Sequence, residues 1–143
     1  MDAFDTDVLI YAALSENQDG RRVRALFSST SSDELPAPVG IGSVLLLPEL
    51  LSKPVRDRAF EELRHLAELL GRLELIHTDR AIADLAVDLG ARYRLRGTDA
   101  VHLATAVNAG ADRFITNNSK DFDRSITEID ITYPMDLADP LAG

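Results

Sequence analysis

Two patterns of hydrophobic and polar residues alternate along the chain. Short apolar runs bounded by turn residues are typical of buried strands, whereas apolar residues that recur every three or four positions are typical of amphipathic helices. The short runs predict strands over residues 3–10, 73–77, 113–116 and 128–133. The helical period predicts helices within residues 57–73, 79–95 and 97–110.

The three predicted helices differ in their apolar faces. In 57–73, which Gly71 is expected to cap, the face comprises Phe60, Leu63, Leu66, Ala67 and Leu70. In 79–95 it comprises Ile82, Leu85, Ala86 and Leu89. The segment 97–110 is small and apolar on most sides, and it is expected to open at Thr98 and close at Gly110.

Other segments are less decisive. Helical character begins near Ala12–Leu14, gives way to a polar stretch over 15–20 and resumes in "RRVRALFSS". Ser, Asp and Pro predict a loop over 28–38. The run "PVGIGSVLLL" that follows is a strand, a buried helix, or a strand feeding a helix, and Pro48 suits only a first helical turn.

The alternation of strands and helices predicts an α/β fold around a mainly parallel sheet, with right-handed crossovers. A length of 143 residues favours a single domain over 1–143. Because ligands of such sheets bind at the carboxyl ends of the strands, polar residues at those ends are candidates for function.

Composition narrows the function classes. The chain has no cysteine, which excludes disulfides and thiolate metal sites and fits a reducing cytoplasm. No apolar stretch approaches the roughly 20 residues of a membrane span, and the acidic start lacks the basic residues of a secretory signal. A net charge of −9 argues against broad coating of nucleic acid, yet acidic residues are what a hard-cation site consumes.

The first candidate residues are the two acids of "FDTDVLIYA". Asp5 and Asp7 would share one face of the predicted strand 3–10, where an ionised carboxylate is costly without a partner. One interpretation is that they end the strand or cap the next helix. The other is that a cation neutralises Asp5.

Two further acids border apolar segments. Glu49 has leucines on both sides, and it is either an exposed first-turn residue favoured by the helix dipole or a member of a site. Asp99 opens the apolar segment 97–110, where the dipole and the free N–H groups would also stabilise it. The apolar character of that segment makes a purely capping role for Asp99 less favoured.

The segment "FITNNSKDF" carries the last candidates. Its strand ends at Thr116, and the polar loop that follows contains Asn117, Asn118, Ser119 and Asp121. Such residues are common in ordinary turns. At the carboxyl end of a strand, the loop is also expected to face the cleft that contains Asp5.

The three histidines are weaker candidates for a metal site or a catalytic base than the acids. His102 lies three residues after Asp99 on the same helical side, and a satisfied, partly buried histidine is favoured over a ligand or general base. His65 lies on the polar face of its helix and His77 ends a strand, and neither has the spacing of a metal ligand.

Taken together, the acids are more informative than any one of them. In a parallel sheet their positions can converge on one cleft, where several carboxylates would resist ionisation unless cations were present. Oxygen ligands without Cys or His select magnesium or manganese.

Four quoted motifs, "FDTDVLIYA", "GSVLLLPELLS", "LRGTDAVHLATAV" and "FITNNSKDF", resemble those of the PIN domain, a metal-dependent ribonuclease fold, and more narrowly those of VapC-like toxins. The resemblance covers nearly the whole chain and implies a three-layer α/β/α sandwich. Carried over by position, Asp5, Glu49 and Asp99 match the family's catalytic, metal-binding acids.

Asn118 falls where many members of that family carry a fourth acid. The amide weakens direct metal binding and leaves Asn118, Asp121 or Asp7 as supporting ligands. Thr116 matches a hydroxyl position at the strand end. Pro48 and the marked acidity depart mildly from the family pattern.

The resemblance implies Mg²⁺-dependent hydrolysis of RNA phosphodiester bonds, with Mn²⁺ as an alternative ion, by one or two ions. It also implies a homodimer, a small antitoxin partner, a cytoplasmic location and no membrane association. The competing hypothesis is a PIN fold that has lost activity and serves as a binding or assembly module, which Asn118 and the negative charge support.

Two enzyme and signalling classes fit poorly. "DTDV" resembles the start of haloacid-dehalogenase-like phosphatases, but the chain has lysine only at 53 and 120 and lacks the later pair of acids. A phosphoacceptor receiver needs an acid at the end of a middle strand, and "LELIHTD" offers only Asp79.

Overall fold

The computed structural model describes residues 1–28 and 37–141, and within them it confirms the α/β prediction. Five strands form one sheet: β1 Asp2–Phe4, β2 Gly40–Ser43, β3 Leu73–Ile76, β4 Arg113–Ile115 and β5 Asp130–Thr132. Six helices flank it: α1 Thr6–Leu14, α2 Gln18–Phe27, α3 Leu46–Arg56, α4 Phe60–Leu70, α5 Arg80–Tyr93 and α6 Gly97–Asn108. A 3₁₀ turn follows β5 at Pro134–Asp136.

The sheet is parallel throughout, with the strand order β3-β2-β1-β4-β5. The central strand β1 pairs with β2 on one side and β4 on the other, so that Asp2 aligns with both Gly40 and Arg113. Because all strands run the same way, the residues that follow β1, β2 and β4 lie at one edge of the sheet.

Two hydrophobic cores cover the two faces of the sheet and confirm the three-layer arrangement. On one face α5 and α6 pack against Ile41, Phe114 and Ile131. On the other, α1 to α4 pack against Phe4 and Ile115. Neighbouring residues of a strand thus point into opposite cores, as the alternation of side chains along a strand requires.

The first strand is much shorter than predicted. β1 ends at Phe4, and the predicted strand 3–10 is wrong beyond it because Asp5 caps a helix that begins at Thr6. Helix α1 buries Val8, Leu9 and Ala12. An apolar run of this length suits either a strand or a buried helix, so the pattern by itself could not distinguish them.

Other boundaries also differ. The polar stretch 15–20 contains the start of α2, since Asn17 accepts a hydrogen bond from Gly20 N at 2.8 Å and Gln18 is already helical. Most of the predicted loop 28–38 lies outside the described residues. The ambiguous run "PVGIGSVLLL" is a strand that feeds a helix, β2 into α3.

The helical segments are placed correctly, with local exceptions. Phe60 and Ala67 are exposed although the pattern assigned them to the apolar face of α4, which buries Leu66 and Leu70. Helix α6 begins at Gly97, one residue before the expected Thr98, and Gly110 beyond its end has the left-handed φ of 72° that favours glycine. None of the described helices is long and apolar enough to cross a membrane.

Candidate active site

Asp5 lies where β1 passes into α1, at the carboxyl edge of the sheet. Its backbone N–H donates to Ile115 O at 2.9 Å, which fixes the residue beside β4. Its two carboxylate oxygens accept hydrogen bonds from Thr6 N at 2.8 Å and from the Thr116 hydroxyl at 2.7 Å. The residue is only 4% exposed, and burial together with the charge of Asp7 raises the pKa of Asp5 to about 7.

Asp7 occupies the first turn of α1 rather than the strand face that the sequence predicted. Its carboxylate accepts a hydrogen bond from Asn117 N at 3.1 Å, which ties α1 to the loop after β4. Burial and the charge of Asp99 raise the pKa of Asp7. The side chain is therefore part of the same group of acids, although it reaches that group from a helix.

Glu49 lies in the first turn of α3 and its side chain is 29% exposed. One carboxylate oxygen accepts a hydrogen bond from the Thr6 hydroxyl at 2.7 Å, and the other lies 2.9 Å from His102 Nε2. The hydrogen bond with His102 lowers the pKa of Glu49 against the opposing effect of burial. Both proposed roles of Glu49 are thus compatible with its place, since a first-turn residue here also faces the cleft.

His102 is more deeply buried than the sequence suggested, at 2% exposure. Burial lowers the pKa of His102. Three acids oppose this effect: Glu49 through its hydrogen bond and its charge, and Asp5 and Asp99 through their charges. The net result is a raised pKa of His102. The expectation of a satisfied histidine holds only for Nε2, because within the described residues the buried Nδ1 has no hydrogen-bond partner.

Asp99 lies in the first turn of α6, where burial and the charges of Asp121 and Glu49 raise its pKa. Asp121 is held by Asn118: the amide of Asn118 donates to the Asp121 carboxylate at 2.9 Å, and Asp121 N donates back at 3.2 Å. The loop after the buried Thr116 therefore brings Asp121 near enough for its charge to act on Asp99, while Asn118 fixes the Asp121 side chain.

The predicted acids thus share one electrostatic environment. The charges of these acids raise one another's pKa values, as Asp7 does for Asp5, Asp99 for Asp7 and Asp121 for Asp99. Among the residues that the structure describes, however, no three Asp, Glu, His or Cys side chains form a group that could hold a metal ion as they stand. The donor set is carboxylate, hydroxyl and amide oxygen, which suits a hard cation that keeps several of its own waters.

Sequence reasoning did not consider Thr6, and it favoured a satisfied, partly buried histidine at His102 over a member of the site. Thr6 bridges Asp5 and Glu49, and His102 holds Glu49 from α6. The only signals in the sequence were that Thr6 adjoins Asp5 and that His102 lies one helical turn after Asp99. His65, near Glu61 at 3.7 Å, and the exposed His77 do not join the group, as predicted.

Comparisons with known proteins identify the family and the fold. A family model described as the PIN domain matches residues 3–125, most of the chain. A search of the curated proteins gives no match.

Solved structures with a similar fold include a toxin-antitoxin complex from Klebsiella pneumoniae, at 26% identity and a TM-score of 0.70 over 94% of this chain and 98% of that one. VapBC2 from Rickettsia felis, bound to a DNA fragment from its promoter, is similar at 19% identity and a TM-score of 0.68, over 92% of this chain and 97% of that one. DNA-bound VapBC from Salmonella typhimurium is similar at 22% identity and a TM-score of 0.64, over 93% of this chain and 97% of that one. At these last two identities the likeness concerns the fold alone.

Proposed function

The chain belongs to the PIN domain family, and from this premise we propose that it is a metal-dependent endoribonuclease and the toxin of a toxin-antitoxin pair. One observation carries the proposal: acids from α1, α3, α6 and the loop after β4 gather at the carboxyl edge of a parallel sheet. Burial, and after it the charges of neighbouring acids, raises the pKa values of Asp5, Asp7 and Asp99, and a divalent cation would relieve this condition.

Asp5 and Asp99 would hold the ion directly. Glu49 would hold the ion directly or through a water molecule, beside its hydrogen bonds with Thr6 and His102. Mg²⁺ or Mn²⁺ would supply charge neutralisation at the scissile phosphate and a more acidic bound water. Asp7 and Asp121 would support the site from either side.

Several groups hold these acids in place. The Thr116 hydroxyl and Thr6 N–H fix the two oxygens of Asp5, and Asn118 fixes Asp121. Each oxygen of Asp5 retains a second lone pair for a ligand. Because Asp5 and Asp121 are already held, metal binding would require only the adjustment that brings three acids onto one ion, since no three acids of the described residues are so placed as they stand.

The decisive experiment is cleavage of a mixed single-stranded RNA with Mg²⁺, Mn²⁺ or EDTA. We expect cleavage with either ion and none with EDTA. Asp99→Asn should abolish it, and Asp88→Asn, an exposed acid of α5 with no hydrogen bond among the described residues, should not. Equal cleavage by the wild type and Asp99→Asn would overturn the proposal.

The partner proposal draws on the toxin-antitoxin complexes among the similar structures. We propose a small antitoxin whose basic segment neutralises the acidic cleft, in keeping with the net charge of −9, and a homodimer of this chain. Expression of the chain alone should arrest bacterial growth, and Asp99→Asn should relieve the arrest. Light scattering should give twice the mass of one chain, and a monomer would contradict the dimer.

A binding module without catalysis is the second candidate. Two observations favour it: the amide at Asn118, and the engagement of both Glu49 oxygens with Thr6 and His102. Titration with Mn²⁺ under thermal denaturation separates the two functions. A pocket that binds no metal leaves the melting temperature unchanged, whereas the ribonuclease proposal requires it to rise.

A further inference from the structure

A small cavity adjoins the acidic cleft on the side of β5. It has a volume of about 190 Å³, and its walls come from α2, the loop after β4 and the turn after β5, through Asp19, Asn117, Ser119, Tyr133 and Met135. This volume is below that of pockets for drug-sized ligands and suits a single flat ring system.

The cavity is joined directly to the proposed catalytic centre. Asn117, one of its walls, donates its backbone N–H to Asp7 at 3.1 Å, and the preceding Thr116 bonds Asp5. Neighbouring residues of a chain are only about 3.8 Å apart. A nucleotide whose phosphate lies against the acids therefore has its base within reach of this cavity.

Its walls combine apolar surface with free polar groups. Within the described residues, no hydrogen bond or ion pair involves the Asn117 amide, the Ser119 hydroxyl or the Asp19 carboxylate. The apolar side chain of Met135 is 71% exposed and is therefore not part of the hydrophobic core. A flexible thioether beside a ring and several unpaired polar groups is an arrangement suited to a flat, polar ligand.

Tyr133 is a rigid wall. Its hydroxyl donates to Phe122 O at 2.8 Å, and Asp136 accepts a hydrogen bond from its backbone N–H at 2.9 Å. The Arg124 guanidinium lies 4.6 Å from the ring centroid and pairs with Asp136 at 2.5 Å. An aromatic ring fixed in this way loses little conformational freedom when a base packs against it.

We propose that this cavity is a nucleobase subsite that selects a base with an exocyclic amino group, adenine, cytosine or guanine, over uracil, which has none. The Asp19 carboxylate only accepts hydrogen bonds, and the Asn117 amide both donates and accepts, so together they match an amino group beside a ring nitrogen. Uracil has no amino group, and its two carbonyl oxygens, which the carboxylate repels, flank the single ring N–H that could donate to Asp19. The inference rests on the proposed ribonuclease function, since it takes RNA as the ligand.

The test uses the methyl groups of methionine. The chain has two methionines, so ¹³C-methyl labelling gives one signal beside the cavity from Met135 and an internal control from Met1. Adenosine, cytidine or uridine is titrated into the metal-free wild-type protein. We expect a saturable shift of the Met135 signal with adenosine or cytidine, at about tenfold lower concentration than with uridine, and no shift of Met1.

Substitutions of the cavity residues test which side chains select between the nucleosides. Asn117→Ala should abolish the shift of Met135, whereas Asn108→Ala, an exposed asparagine at the end of α6, should leave it intact. Asp19→Asn should allow uridine to bind as well as cytidine, because the new amide can donate to a carbonyl.

Equal shifts with all three nucleosides, no shift of Met135, or an unchanged shift in Asn117→Ala would overturn the subsite. The titration contains no metal and involves no cleavage. A protein that fails to cleave RNA but shows the selective shift would contradict the proposed ribonuclease and not the subsite.

Discussion

The two ends of β1 carry acids with opposite surroundings. At its start, Asp2 accepts hydrogen bonds from Nε and Nη2 of Arg113 on β4, both at 2.9 Å. Just past its end, Asp5 is buried, and among residues 1–28 and 37–141 no Lys or Arg forms an ion pair with it. The same residue type, three positions apart in the chain, thus pairs with an arginine at one edge of the sheet and, among the described residues, with no Arg or Lys at the other.

The comparison separates structure from function. The pair of Asp2 and Arg113 joins two neighbouring strands, and the amino terminus pairs with Asp112 at the same edge. Around Asp5 the protein places other acids, with hydrogen bonds from Thr6 and Thr116 and the charge of His102 as the opposing contributions. A buried carboxylate without an Arg or Lys partner is retained only where something else stabilises it. Perturbed acids in a cleft therefore make this edge the candidate site of function.

The largest expected effect comes from exchanging each acid for its amide. Asp5→Asn should lower RNA cleavage on the order of 10³-fold, because it removes a charged ligand from the proposed metal site. Asp2→Asn, the matched change at the other end of β1, should leave cleavage within about twofold because it lies at the opposite edge. Comparable losses of kcat/KM in both variants would show that the edges do not differ in function.

Metal binding should distinguish the two acids next. At an ion concentration a hundredfold above Kd, Mn²⁺ should stabilise the wild type by about 2.7 kcal/mol. Asp2→Asn should show the same stabilisation and Asp5→Asn almost none, measured by thermal denaturation with and without the ion. Stabilisation of Asp5→Asn by the full amount would remove Asp5 from the metal site.

The pH dependence of the metal-free protein should follow Asp5. Since folding raises its pKa from 3.8 to about 7, protonated Asp5 stabilises the fold below pH 4, and this contribution is lost as the pH rises through 7. The raised pKa values of Asp7, Asp99 and His102 act in the same direction.

Between pH 5 and pH 7, Asp5 should account for a loss of about 2 kcal/mol in the free energy of unfolding. Chemical denaturation in EDTA measures it. Asp5→Asn should flatten the dependence by that amount, and Asp2→Asn should keep the wild-type slope. A wild-type protein that grows more stable over this range would contradict the assigned direction.

A smaller effect is expected where His102 holds Glu49. His102→Leu removes the hydrogen bond to Glu49 and should lower kcat/KM about tenfold, as the loss of a partner of a metal-site ligand does. His102→Gln keeps an N–H donor and should recover part of the activity. The apparent affinity for Mn²⁺ should fall in the leucine variant, and an unchanged affinity would show that His102 serves packing alone.

The smallest effect concerns the paired acid. Asp2→Asn should lower the free energy of unfolding by about 1 kcal/mol, because the pair with Arg113 is partly exposed and screened by solvent. Denaturation in urea at two salt concentrations measures it, and added salt should reduce the difference from the wild type. A cost that salt does not change would point to packing rather than charge.

The sequence by itself determined the α/β fold and supplied the acids of the proposed site. The helical period located α4, α5 and α6, because the apolar residues of an amphipathic face recur every three or four positions along the chain. Asp5, Glu49 and Asp99 were identified because acids beside apolar segments are rare without a partner, and the resemblance in their motifs supplied the family.

Only the tertiary structure decided how the site is assembled. The end of β1 at Phe4 depends on Asp5 capping α1, which a short apolar run does not reveal. Asp7 and Asn117 are 110 positions apart, and so no local pattern could join them. A parallel sheet brings the ends of distant strands together at one edge and their starts together at the other. This is why Asn117 lies beside Asp7, why His102 bonds Glu49, and why Asp2 and Asp5 have different surroundings.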